Sequence, residues 1–120
     1  MSVEQLARKN VEAAIKRFLD RRVIVNLDSH PDWPEGMLEA ADEIRNVWKP
    51  SAEELLARVQ HRLAEYHGPP GEEPVGMDII IWHMEQMARD AFRTEMQRRN
   101  VPESLAEYAR RRLTLEKWKG

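Results

Sequence analysis

The chain has 120 residues, of which 42% are hydrophobic and 33% charged, and a net charge of −2. That size and balance place it in the globular class, with enough chain to bury one core and too much apolar content for a disordered segment. It contains no cysteine, which excludes a disulfide framework, a thiolate nucleophile and a zinc–thiolate site and fits a reducing cytoplasm as the expected location. No apolar run approaches the roughly 20 residues that cross a bilayer, and no apolar secretory h-region is expected near the start.

The first predicted element opens on Ser2 and Gln5, a capping-box pattern in which the serine oxygen accepts from a first-turn amide and the glutamine side chain reaches back. Val3, Leu6, Ala7, Val11, Ala14, Ile15, Phe18 and Leu19 continue it as one apolar stripe to about Arg22. Val23 to Leu27 is β-branched and apolar and reads as extended. With no evident partner strand, it is expected to be a linker laid across a bundle. Asp28-Ser29-His30-Pro31-Asp32-Trp33-Pro34 is a loop, because two prolines forbid regular helix.

Glu35 to Trp48 resumes the helical period through Met37, Leu38, Ala41, Ile44, Val47 and Trp48, and Pro50 ends it by pushing the residue before it out of helical geometry. Ser51 with Glu54 makes a second capping box. The helix it opens carries Leu55, Leu56, Val59, Leu63 and Tyr66 on its stripe and stops at Gly68-Pro69-Pro70-Gly71. Glu72 to Gly76 is a polar, acidic loop.

Met77 to Arg99 is the stretch around which the chain is organised, with Met77, Ile80, Ile81, Met84, Met87, Ala88, Ala91 and Phe92 on one helical face. Ile79 and Trp82 fall outside that face. The first two turns are therefore apolar nearly all round and are expected to be buried, with Trp48 and Trp82 as core fillers. Three consecutive isoleucines make a short strand at Asp78 to Trp82 the competing local reading. Asn100 suits the left-handed position after a helix end, and Pro102 the first position of a last helix that carries Leu105, Tyr108, Ala109 and Leu113 and runs weakly toward Trp118. The expected fold is all-α, a single-domain bundle of four to five helices spanning residues 1–120, with the helix at about 77–99 at its centre.

Charge is unevenly distributed. From Asp28 to Asp78 twelve acidic residues face only four basic ones, a balance of −8, while the first 27 residues and residues 81–120 each carry +3. The two basic ends can complement the acidic middle within the fold, or the acidic face can dock a basic partner.

His61 and Glu65 stand at i, i+4 on one predicted helix, and His83 lies at the edge of the central stripe. In a bundle these three are the candidate metal ligands, but no Glu-x-x-His pair of the di-iron type is present. Asp28, His30 and Asp32 are the acid–base groups a loop would hold clear of the core. No nucleophile elbow or glycine-rich phosphate loop accompanies them, so no catalytic set and no cofactor site are expected. Arg98-Arg99 and Arg110-Arg111-Arg112 suggest phosphate contacts, yet six acids interleave them, which points to a solvated helix face rather than nucleic-acid binding. The partner-contact candidates are Trp33, as an exposed anchor flanked by Asp32 near Asp28, and Trp118.

The run Ala41-Asp42-Glu43-Ile44-Arg45-Asn46-Val47-Trp48-Lys49-Pro50, preceded by a helix with Leu6, Asn10, Ile15 and Phe18 and followed by Gly76-Met77-Asp78-Ile79-Ile80, resembles the layout of the small delta subunit of soluble NAD-dependent formate dehydrogenases. Ile44, Arg45, Trp48 and Pro50 carry most of the resemblance; Asp78-Ile79 replaces the usual Asp-Pro, and residues 85–120 lie outside it. It implies a small helical accessory polypeptide without cofactor or catalytic residues of its own. Residues and resemblance together lead to the expectation of a non-catalytic protein that docks on another subunit or on its own copy.

Overall fold

The structure, a computed structural model, describes residues 2–21, 23–25, 32–64 and 76–115, apart from the side chains at 3, 20, 21, 23–25, 61–63 and 115. Among these residues the chain forms five helices: α1 (Val3–Arg21), α2 (Glu35–Asn46), α3 (Ala52–Ala64), α4 (Met77–Arg98) and α5 (Glu103–Arg112). Two three-residue strands, β1 (Val23–Val25) and β2 (Leu113–Leu115), accompany them. The fold is all-α, and no described helix is long and apolar enough to cross a membrane.

The chain divides into two compact units, residues 1–20 with 50–84, and residues 21–49 with 85–120. Helix α4 contributes its first eight residues to the first unit and the remainder to the second.

In the first unit, the capping box of α1 is complete. The Ser2 amide donates to Gln5 Oε1 at 2.9 Å, and the Gln5 amide donates to Ser2 Oγ at 3.1 Å. The box of α3 is half formed: the Glu54 amide donates to Ser51 Oγ at 3.3 Å, but the Glu54 carboxylate turns forward to Arg58 at 3.3 Å. An i, i+4 ion pair has replaced the back-bond. Ala7, Val11, Ala14 and Phe18 of α1, Leu55 and Val59 of α3, and Ile80 and Met84 of α4 form the core of this unit. Their spacing on each helix is the period of a single face.

The second unit buries Met37, Ala40, Ala41 and Ile44 of α2, Met87, Ala88, Phe92 and Met96 of α4, and Ala106 and Ala109 of α5, together with Val101 and Leu113. Alanines stand at buried positions on all three helices, and the buried methionines supply adaptable side chains to the same core. Helix α2 stops at Asn46, two residues short of the predicted end: the Val47 amide makes the last regular bond, to the Glu43 carbonyl at 2.8 Å, and the Trp48 amide donates to that same carbonyl at 3.0 Å instead of continuing the ladder.

Two expectations are corrected, and one choice between alternatives is decided for the expected helix. Val23 to Leu27 is not an unpaired linker throughout: Val23, Ile24 and Val25 pair antiparallel with Leu115, Thr114 and Leu113. The last helix does not run on toward Trp118, since Leu113 leaves helical geometry at φ −77°, ψ 122° to enter that pairing. Each short strand supplies the hydrogen-bonding edge that the other lacks. The competing strand at Asp78 to Trp82 is helical, within α4.

Candidate interaction surface

Helix α4 carries Trp82 about 160° round from Met84 at roughly 100° per residue, and the two side chains have opposite fates. Met84 is fully buried, whereas Trp82 is 56% exposed. The expectation that Trp82 fills the core is therefore corrected: the buried stripe of the first unit needs only Ile80 and Met84 from this segment. The indole meets the His83 ring edge-on, with centroids 4.9 Å apart and planes at 87°.

In the second unit Leu38 is 50% and Val47 58% exposed. The buried positions of α2 are 37, 40, 41 and 44, and Leu38 lies off that face. Val47 follows the helix end and lines a partly open groove of about 260 Å³ with Glu43, Ile44, Trp48, Ala91, Thr94 and Glu95. Trp48 is thus half-buried at a groove rather than enclosed in the core. A second depression, of about 310 Å³, lies in the first unit and is crossed by the Arg8–Glu53 ion pair at 2.9 Å.

Trp33 differs from the exposed anchor the sequence suggested. It is half-buried and packs edge-on against Tyr108, with centroids 5.9 Å apart, and the Arg112 guanidinium lies over the same Tyr108 ring at 5.0 Å. Its neighbour Asp32 is exposed. Asp28, His30 and Trp118 lie outside the described residues.

The proposed metal set is not brought together by what is described. His83 is half-buried beside Trp82, while the His61 side chain and Glu65 lie outside the described residues. Among the described residues no group of three or more histidines, aspartates and glutamates is placed to hold a metal ion.

The arginine clusters are engaged within the second unit. Arg98 pairs with Glu95 at 2.6 Å, Arg99 with Glu39 at 2.5 Å, Arg110 with Asp90 at 3.2 Å and Arg111 with Glu107 at 3.5 Å. A phosphate would have to displace these carboxylates, so the clusters do not form the open cationic surface that counterion release requires. Hydrogen bonding to Glu95, then its charge, raises the Arg98 pKa, and Glu53 acts in the same way on Arg8. Hydrogen bonds from Arg93 and then Gln97 hold the Glu103 carboxyl below its usual value.

The chain matches no family model, no characterised protein and no solved structure. None of these comparisons bears on the formate dehydrogenase delta subunit; of the residues that suggested it, Ile44 and Trp48 line the groove and Pro50 is buried at the start of the segment leading to α3.

Spacing alone offered one signal for the exposed residues. Trp82 falls outside the stripe by simple helical arithmetic, and the overall apolarity of the segment outweighed that signal. No such signal marks Val47, whose exposure follows from the early end of α2.

Proposed function

We propose that this chain is a non-catalytic helical interaction protein that acts by docking on another protein or on a second copy of itself. The observation that carries the reading is Trp82, an indole 56% exposed on a helix whose opposite face is fully buried at Ile80 and Met84. Large aromatic side chains in that setting act as interface anchors, since they bury much apolar area at a low entropic cost. The uneven charge of the sequence adds specificity to such docking more than affinity. The delta-subunit resemblance makes a multisubunit soluble oxidoreductase one class of partner for this proposal.

The test compares the wild-type chain with Trp82→Ser. Light scattering coupled to size exclusion reads self-association, and affinity capture from the native extract reads a partner. The expected result is a defined complex that the variant loses. A wild-type chain that remains strictly monomeric and captures nothing overturns the reading.

A further inference from the structure

The groove at the end of α2 has a chemistry of its own. Ile44, Val47, Trp48 and Ala91 give it an apolar lining, and Glu43 and Glu95 add two carboxylates. At about 260 Å³ it lies below the roughly 300–1,000 Å³ of pockets that enclose a free small ligand, and it is partly open. Its size and shape suit one or two side chains presented by a larger body.

The carboxylates beside it outnumber the arginines that face them. Arg98 and Arg99 face three carboxylates: Arg98 takes Glu95, and Arg99 takes Glu39 while lying 3.8 Å from Glu95. The third, Glu43, acts on Arg98 through its charge but makes no close ion pair among the described residues, and it is one of the two that line the groove. Asp42 beside it is occupied by Arg45 at 3.6 Å. The C-terminus of α2 ends at the same place and adds the negative end of a helix dipole.

We propose that the groove takes a basic amphipathic segment of a partner protein, with an aliphatic side chain entering beside Val47 and Trp48 and a lysine or arginine one turn away pairing with Glu43. This deepens the interaction reading above and rests on it, but assigns a surface in the other unit from Trp82. A second copy of this chain fits less well, because Arg98, Arg99, Arg110 and Arg111 already hold carboxylates and would have to give them up.

Three fluorescent helical peptides test it by anisotropy: a leucine–lysine amphipathic peptide, its leucine–glutamate counterpart and a serine–lysine peptide of equal charge. The full chain should bind the first and neither of the others. Glu43→Lys and Val47→Asp, both at solvent-accessible positions, should each weaken that binding by about tenfold or more, the scale of a lost close ion pair. Trp82→Ser should leave it unchanged.

Equal binding of the leucine–glutamate or the serine–lysine peptide overturns the assigned chemistry. Failure of all three peptides overturns the groove as a docking site while leaving the Trp82 reading to its own test. Loss of binding in Trp82→Ser, with no loss in the groove variants, moves the contact to Trp82 and overturns the groove assignment alone. Self-association of the wild-type chain that is weakened by Glu43→Lys makes the occupant a second copy and overturns the separate partner.

Discussion

Gly36 and Arg99 touch so closely that a Cβ on the glycine would stand 3.1 Å from the Arg99 Cβ and 3.2 Å from its carbonyl oxygen. One turn along α2, Glu39 receives the Arg99 guanidinium at 2.5 Å. The glycine serves this close approach of α2 to the end of α4. Gly36→Ala would add helix propensity of about 1 kcal/mol, but the crowded carbonyl belongs to the backbone and cannot swing aside. Overpacking of this kind costs about 1–3 kcal/mol, so the expected outcome is a net loss of about 1 kcal/mol. Urea unfolding of the variant checks it, and a gain in stability would show that the helix ends can separate freely.

The end of α4 supplies a second expectation. The Val101 amide donates to the Met96 carbonyl and the Asn100 amide to the Gln97 carbonyl, with Asn100 at φ 60° between them. This is the Schellman arrangement, and its usual hydrophobic contact is available because Met96 and Val101 are both buried. Asn100→Gly should hold or raise stability, whereas Asn100→Val, with a branched Cβ forced left-handed, should lose about 1–2 kcal/mol. Equal melting temperatures for the two variants would argue against a cap at this position.

Those two sites divide what was legible in the sequence from what was not. The Ser2–Gln5 box, the asparagine after α4 and the long period of α4 are local: each depends on residues a few positions apart, and each has the predicted structure. The pairing of Val23–Val25 with Leu113–Leu115 joins segments some ninety positions apart. Neither three-residue run has enough pattern to name the other. The Gly36–Arg99 contact is hidden for the same reason. The candidate surface was half legible: helical arithmetic placed Trp82 off the buried stripe, but only packing decides whether another element covers that side. Trp33 went the other way, since a tryptophan between an acid and a proline looks exposed until Tyr108 is found beside it.

Acid should act on Glu103. Hydrogen bonds from Arg93 first and Gln97 second lower its pKa below the ordinary 4.5. A carboxyl with a lower pKa folded than unfolded contributes stability that is present above the unfolded value and is lost as pH falls through the folded one. The difference in stability between wild type and Glu103→Gln should thus be constant near neutrality and shrink as pH drops below about 4.5. Salt should shrink it as well, because the pair is exposed. A difference that grows on acidification would contradict the assignment. Thermal melts across the acid range provide the measurement.

Trp82 and Met84 make the sharpest paired test, because they lie two residues apart on one helix and differ almost entirely in burial. Met84 is fully enclosed, and truncating a buried methionine to alanine costs about 2–5 kcal/mol through lost transfer energy and the cavity left behind. Trp82 is more than half exposed, so Trp82→Ser should change stability by no more than about 0.5 kcal/mol. If Trp82→Ser also abolishes a complex that Met84→Ala retains under conditions where both remain folded, the indole has been kept on the surface for contact. An indole that proved as costly to remove as Met84 would instead be a core residue, and the interaction reading would lose its principal support.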